Sequence, residues 1–208
     1  VVCLIGCMMN YQHLRRGSEC MTKKLEEMTL EERWQLFPIF LVAPKAEWAT
    51  WFQEERSSLL SLLGEKRCTD ISHVGSTAIP AIWAKNIVDI LLEVETIEDL
   101  DDCQSILLQH GWFAMSKEHD RIGLNKGYTQ EGFAEKVFHL HVRLVGDRDE
   151  VYFRDYLIHH PSIAKDYEAL KLNLGEKFQH NRNAYTDAKT DFIRKYTDLA
   201  KQEYTKST

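Results

Sequence analysis

The sequence predicts an α/β (α+β) fold, a mixed β-sheet flanked by helices with a helical C-terminal part. Three observations predict it. Stretches near 69–74, 87–94 and 137–145 are rich in aliphatic residues, and in the last two apolar and polar positions alternate with the period of a strand. Beyond Asp149 the strand signals stop, and 152–159, 162–178 and 184–204 carry apolar residues at helical spacing. The strands also lie close in the chain with hairpin-like links, which favours a mixed sheet over a purely parallel one. With 208 residues, 44% apolar and 11% aromatic, the chain can bury one sizeable core. The expected organisation is a single domain over 21–208, its sheet part about 36–146 and its helical part about 149–206.

The elements follow in order. Residues 1–9 are apolar, but no basic residue precedes them and Tyr11 to Arg16 replace a small-residue cleavage site. Residues 1–20 therefore read as an extension outside the fold rather than a signal peptide. Thr29 with Glu32 three positions on is a capping-box signal for a short helix. The run 37–42 reads as extended up to Pro44. Over 44–63, Trp48, Trp51, Phe52, Leu59, Leu60 and Leu63 recur at helical spacing, with Pro44 in the first turn and Gly64 as C-terminal cap. A strand over 69–74 ends at Gly75-Ser76-Thr77, and a stronger one covers 87–94. Thr96 and Asp99 open a helix that Gly111 closes. Short strands are expected at 112–115 and 121–124, a loop or hairpin at 125–135, and a third clear strand at 137–145.

Charge narrows the partners. Lysine and arginine number 26 against 32 acidic residues, a formal charge of −6. Proteins that bind duplex nucleic acid usually carry a basic excess or stripe, so nucleic acid is not the expected main partner, whereas a small anion needs only a local pocket. No apolar run approaches the roughly 20 residues of a membrane helix, and no membrane partner is expected. The five cysteines, Cys3, Cys7, Cys20, Cys68 and Cys103, include no Cys-x-x-Cys pair, so reduced thiols and a cytoplasmic location are expected.

Strand alternation makes the best case for chemistry. In 87–94 the even positions are aliphatic, and Asp89 and Glu93 share the opposite face. In 137–144 Phe138, Leu140, Val142 and Leu144 face one side, and His139, His141 and Arg143 the other. If the two strands are neighbours, a carboxylate, two imidazoles and a guanidinium line one surface, a set suited to a divalent metal, an anion or both. The bland reading is a solvated sheet face. Gly75-Ser76-Thr77 after a strand makes a turn with exposed N–H groups, and a helix starting soon after it, near Pro80, would favour phosphate there.

Further candidates have two readings each. Lys85 is a phosphate ligand or a surface lysine at a helix end, and Arg121 and Arg143 are anion ligands or plain charges. Arg154 and Asp155 read mainly as a structural pair. Tyr185 and Lys189, spaced i, i+4, lean over the pocket or pack at its rim. His159 and His160 read as a helix end.

The run from Ile71 through His73-Val74-Gly75-Ser76-Thr77 to Pro80, then Trp83-Ala84-Lys85-Asn86-Ile87-Val88-Asp89-Ile90, resembles the GrpB family, also designated UPF0157. His139-Leu140-His141-Val142, Phe153 to Leu157, His160-Pro161, Tyr167 to Lys171, and Tyr185, Lys189 and Phe192 extend the resemblance over about 34–200. It implies a nucleotidyltransferase-like fold. In active members of that superfamily paired carboxylates on one strand hold Mg²⁺ against a nucleoside triphosphate, and a Gly-Ser turn holds its terminal phosphates. Some relatives join this domain to a dephospho-CoA kinase.

On this reading Gly75, Ser76, Thr77, Lys85, Arg121 and Arg143 bind a nucleotide or phosphorylated small molecule. Asp89, His139 and His141 hold one divalent metal (Mg, Mn or Zn), and Asp89, Ser76 and Lys85 serve nucleotidyl or phosphoryl transfer. The chain departs from the superfamily pattern at position 91, where Leu91 stands in place of the second carboxylate. The rival expectation is a non-catalytic ligand-binding or regulatory domain that kept the fold and lost that carboxylate.

Overall fold

The computed structural model describes Lys23 and residues 25–207. The extension expected at 1–20, with Cys3, Cys7 and Cys20, lies outside the described residues. Helix α1 (Leu30–Leu36) opens with the capping box, the Thr29 hydroxyl accepting from the Glu32 N–H and the Glu32 carboxylate from the Thr29 N–H. Helix α2 (Glu47–Leu63) begins three residues after Pro44 and ends at Gly64. Then come β1 (Asp70–Val74), β2 (Val88–Val94), α3 (Ile97–Leu108), β3 (Phe113–Lys117), β4 (Arg121–Thr129) and β5 (Gly132–Leu144). The helical part is α4 (Asp149–His159), α5 (Pro161–Lys177), α6 (Arg182–Asp187) and α7 (Thr190–Ser207).

The five strands form one mixed sheet in the order β1-β2-β5-β4-β3, with β2 and β5 parallel and the other pairs antiparallel. Alternation sends Ile90, Leu92, Leu140, Val142, Ile122 and Leu124 to one face, where α2 and α3 cover them with Trp48, Phe52, Leu59, Leu100 and Leu107. Burying so much aliphatic surface, worth about 25 cal/mol per Å², fixes the register, because a one-residue slip would turn this set to the other side. The opposite face carries the polar residues and receives the helical part. There Phe153, Tyr156 and Leu157 of α4, Ala164 and Tyr167 of α5 and Ala200 of α7 close around Ile79 and Ile82 from the β1–β2 connection.

Of the two readings of 125–135, the hairpin holds, since β4 and β5 continue through these residues. The glycine that looked like loop punctuation, Gly127 (φ 89°), accommodates a register shift between Lys126 and Tyr128. The helix expected over 184–204 is two helices, broken at Ala188–Lys189. No α-helix follows the Gly-Ser-Thr turn; a single 3-10 turn, Ser76–Ala78, stands there, so the helix-dipole argument for phosphate at this turn falls away. Among the described residues no helix is long and apolar enough to cross a membrane.

Candidate functional site

A cleft of about 560 Å³ lies between the polar sheet face and α4 to α7. Gly75 and Ser76 line one wall, with Asp89 near the start of β2 and His139 and His141 on β5. The parallel register sets Asp89 beside His139 and Leu91 beside His141, so the carboxylate and both imidazoles share one surface as alternation predicts. Gly75 makes the approach possible. Its backbone (φ 68°, ψ −169°) is a conformation that glycine alone adopts readily, and a side chain there would run into the Asp89 carboxylate.

Asp89 is hydrogen-bonded to His139 and has His141 close by. His139 Nδ1 lies 3.1 Å from Asp89 Oδ1, and its Nε2 is 2.8 Å from the Tyr128 hydroxyl and 3.1 Å from an Arg182 Nη. Burial pushes the His139 pKa down to about 4, helped by the charges of Lys85 and Arg182. The ring is therefore neutral at pH 7, donating from Nδ1 to Asp89 and accepting at Nε2. Burial opposes ionisation of Asp89, but hydrogen bonds to His139 and His141 prevail and hold its carboxyl well below the usual range. His141 Nε2 is 3.8 Å from Asp89 Oδ1, and the ring is partly open to the cleft.

Around Asp89 stand four cations, Lys85, Lys171, Arg182 and Lys189. Lys85 and Lys189 both lie over the buried Tyr185 ring, at 5.7 and 4.3 Å from its centroid. Lys171, almost wholly buried, donates to the Trp83 carbonyl, and Arg182 donates to Tyr128 and His139. None of the four makes an ion pair among the described residues. Burial pushes the pKa of Lys85 and Lys171 down to about 7 and of Lys189 to about 8, and their mutual repulsion adds to it. Phe153, Tyr167 and Ile193 supply apolar wall, and Asp149, Glu150 and Asp198 mark the far end. Ser76 shares a hydrogen bond with the buried Tyr167 hydroxyl, whose pKa burial pushes up.

Several expected ligands lie elsewhere. Thr77 is buried, with its hydroxyl 3.0 Å from His73 Nε2 under α2. Arg121 pairs with Asp147 at 2.9 Å, and Arg143 lies between Glu150 (3.1 Å) and Asp147 (3.6 Å). Both arginines are on the correct face, yet neither lines the cleft, and their charges are matched by carboxylates. Glu93 is bound to Arg148 at 3.0 Å. Leu91 is wholly buried with Val74 and Val151. Arg154 and Asp155 pair at 2.7 Å, and Arg154 also donates to the His73 carbonyl, tying α4 to β1. Among the described residues no three His, Cys, Asp or Glu side chains are arranged to hold a metal ion. The donor set fits poorly as well, since both ring nitrogens of His139 are already engaged.

Sequence reasoning missed Lys171 and Arg182 as cleft residues, and Tyr128 as the partner of His139 and Arg182 behind them. Lys171 had a legible signal. It falls in register with Ala164, Tyr167 and Leu174, the buried stripe of α5, and a lysine in a core stripe calls for a partner in the interior.

Fold and cleft together define a mixed α/β protein with a cation-lined cleft set against a Gly-Ser turn and a single strand carboxylate. A sequence profile of the GrpB protein family matches residues 38–199, and the chain belongs to that family. The glutamate-rich protein GrpB of Alkalihalophilus pseudofirmus is 35% identical over 160 residues, 74% of this chain and 91% of that protein. The crystal structure of the conserved protein GrpB from Enterococcus faecalis matches with a TM-score of 0.70 at 29% identity, covering 79% of this chain and 99% of that one. The Cid1 poly(U) polymerase with bound MgGTP aligns at 16% identity over 69% of this chain and 44% of its own, with a TM-score of 0.39. From so distant a likeness nothing about this chain's chemistry follows.

Proposed function

We propose that this chain binds a nucleotide or another phosphorylated small molecule in the cleft, with the phosphates on the cations beside Gly75-Ser76. The observation that carries the reading is the convergence of Lys85, Lys171, Arg182 and Lys189 without an ion-pair partner among the described residues. Holding like charges together in a half-buried space is unfavourable unless an anion joins them. The volume suits a small molecule, and Phe153, Tyr167 and Tyr185 offer flat apolar surface to its non-ionic part.

The test is calorimetric titration of the full chain with nucleoside mono-, di- and triphosphates, at pH 7 and pH 9. The lysines face Asp89, Arg182 and one another, and with their lowered pKa values they lose protons as pH rises from 7 to 9. An anion favours the charged form and restores those protons, whereas phosphate itself is fully ionised above its second pKa of about 6. Affinity is therefore expected to rise with phosphate number and to fall by about tenfold or more from pH 7 to pH 9, with proton uptake on binding. Equal affinity for a nucleoside and its triphosphate sinks the reading.

His141 favours a transferase version of the same site. Its Nε2 faces Asp89 at 3.8 Å, which leaves Nδ1 for a substrate hydroxyl. In this version the hydroxyl proton passes to Nδ1 as the oxygen bonds to phosphorus, and the leaving phosphate keeps the electron pair of the broken P–O bond, steadied by the lysines. Replacing His141 by asparagine is expected to cut turnover about 100-fold or more while nucleotide still binds. A wild-type chain that binds nucleotide yet transfers nothing to a broad panel of hydroxyl acceptors is instead a binding domain, the role that Leu91 favours.

A further inference from the structure

We infer that the cleft holds its phosphate ligand without a metal ion, with Lys85, Lys189 and Arg182 supplying the positive charge that a divalent cation would otherwise bring. The inference rests on the phosphate-binding reading above and specifies its chemistry.

Two independent features lead to it. The first is the supply of metal donors. A divalent ion bridging protein and polyphosphate needs oxygen or imidazole donors directed at one point. Here Asp89 is the one strand carboxylate at the turn. Position 91 is filled by a leucine packed against Val74 and Val151, and Glu93, the next acid on that face, is committed to Arg148 and to the Gly146 N–H. His139 spends one nitrogen on Asp89 and the other on Tyr128 and Arg182. To ligate a metal it would have to surrender one of those bonds and leave a buried polar group unpaired.

The second feature is the field in the cleft. Lys85, Lys171, Arg182 and Lys189 come from the β1–β2 connection, α5, α6 and the α6–α7 junction, so four separate segments of the chain bring positive charge to one carboxylate. A doubly charged cation entering beside Asp89 would be repelled by all of them, in a setting where screening by water is weak. A polyphosphate entering beside Gly75-Ser76 would be attracted by these cations, with Asp89 the carboxylate nearest the turn, and Lys85 and Lys189, poised over the Tyr185 ring, can turn their ammonium groups to it without breaking an ion pair. At the turn end of the cleft, away from Asp149, Glu150 and Asp198, the cations outnumber Asp89, which suits a ligand with several negative charges, a diphosphate or triphosphate rather than a monophosphate.

The experiment is titration of the full chain with inorganic pyrophosphate and with ATP, each in excess EDTA and again in excess Mg²⁺ or Mn²⁺, by calorimetry. Binding in EDTA is expected, weakened several-fold by Mg²⁺ because the metal-bound ligand carries less charge, and Lys189→Met is expected to weaken the EDTA affinity about tenfold or more. Circular dichroism confirms that the variant is folded, and Lys117→Met, an exposed lysine paired with Asp101 of α3 and outside the cleft, serves as a control expected to bind like wild type. Binding that appears only with Mg²⁺ or Mn²⁺ overturns the inference and leaves the phosphate reading standing. Binding in neither condition overturns both.

Discussion

Gly75→Ala is expected to destabilise the chain by about 2–4 kcal/mol and to abolish anion binding in the cleft. The two costs come from different physics. At φ 68° and ψ −169° the backbone occupies a region nearly closed to residues with a Cβ, and holding alanine there costs about 1–3 kcal/mol. The added methyl would also meet Oδ2 of Asp89 and come within 2.9 Å of its Cβ and Cγ. Asp89 cannot step aside cheaply, because β1 and β5 hold its backbone on both sides and His139 holds its side chain. Relief must come from moving the turn, which carries Ser76 away from the lysines, or from rotating the carboxylate, which releases His139 from its only donor contact. Urea unfolding and pyrophosphate titration check the two halves separately. Wild-type stability and wild-type binding together would show that the contact between turn and carboxylate is not what shapes this wall.

The strand half of the site was legible because a strand has a period of two. Asp89, His139 and His141 alternate against unbroken aliphatic positions, so their shared face follows from the sequence once the two strands are neighbours. That they are neighbours, in a register that sets Asp89 at His139, is a property of pairing across 50 residues, and no local pattern contains it. Alternation also placed Arg143 on the right face, but a face is long. Arg143 lies four residues from His139, about 13 Å along the strand, and there Asp147 and Glu150 reach it from the following loop and α4. Arg182 was illegible for a different reason. It sits in a six-residue helix capped by Asn181, and only the packing of the helical part on the sheet brings its guanidinium to Tyr128 and His139. Pro80 is compatible with a helix start, yet no helix forms after the Gly-Ser turn, because that segment is tied to α5 through Lys165, Glu168 and Lys171.

Leu91→Asp puts a second acid on the strand two residues from Asp89, and it is expected to cost about 3–5 kcal/mol without creating a metal site. Leu91 is 0% exposed and packs with Val74 and Val151. Removing its branched end forfeits burial worth about 2–3 kcal/mol, and the carboxylate that replaces it has no cation directly at hand, since the nearby Arg148 and Arg143 already serve Glu93, Glu150 and Asp147. Desolvation would raise the pKa of the new acid above its unfolded value of about 3.9. A raised folded pKa means that the fold prefers the protonated form. The deficit is then smaller at pH 4 and grows as pH rises through the window between the unfolded and folded pKa values. Leu91→Asn separates the two contributions, because it loses the same apolar contact with no charge to desolvate and should show no such pH dependence. If position 91 were a lapsed metal ligand, Mn²⁺ would recover stability in Leu91→Asp and leave Leu91→Asn unaffected. The cationic cleft predicts that Mn²⁺ shifts the melting temperature of neither variant, and a rise confined to the aspartate would mean that the lysines tolerate a metal ion after all.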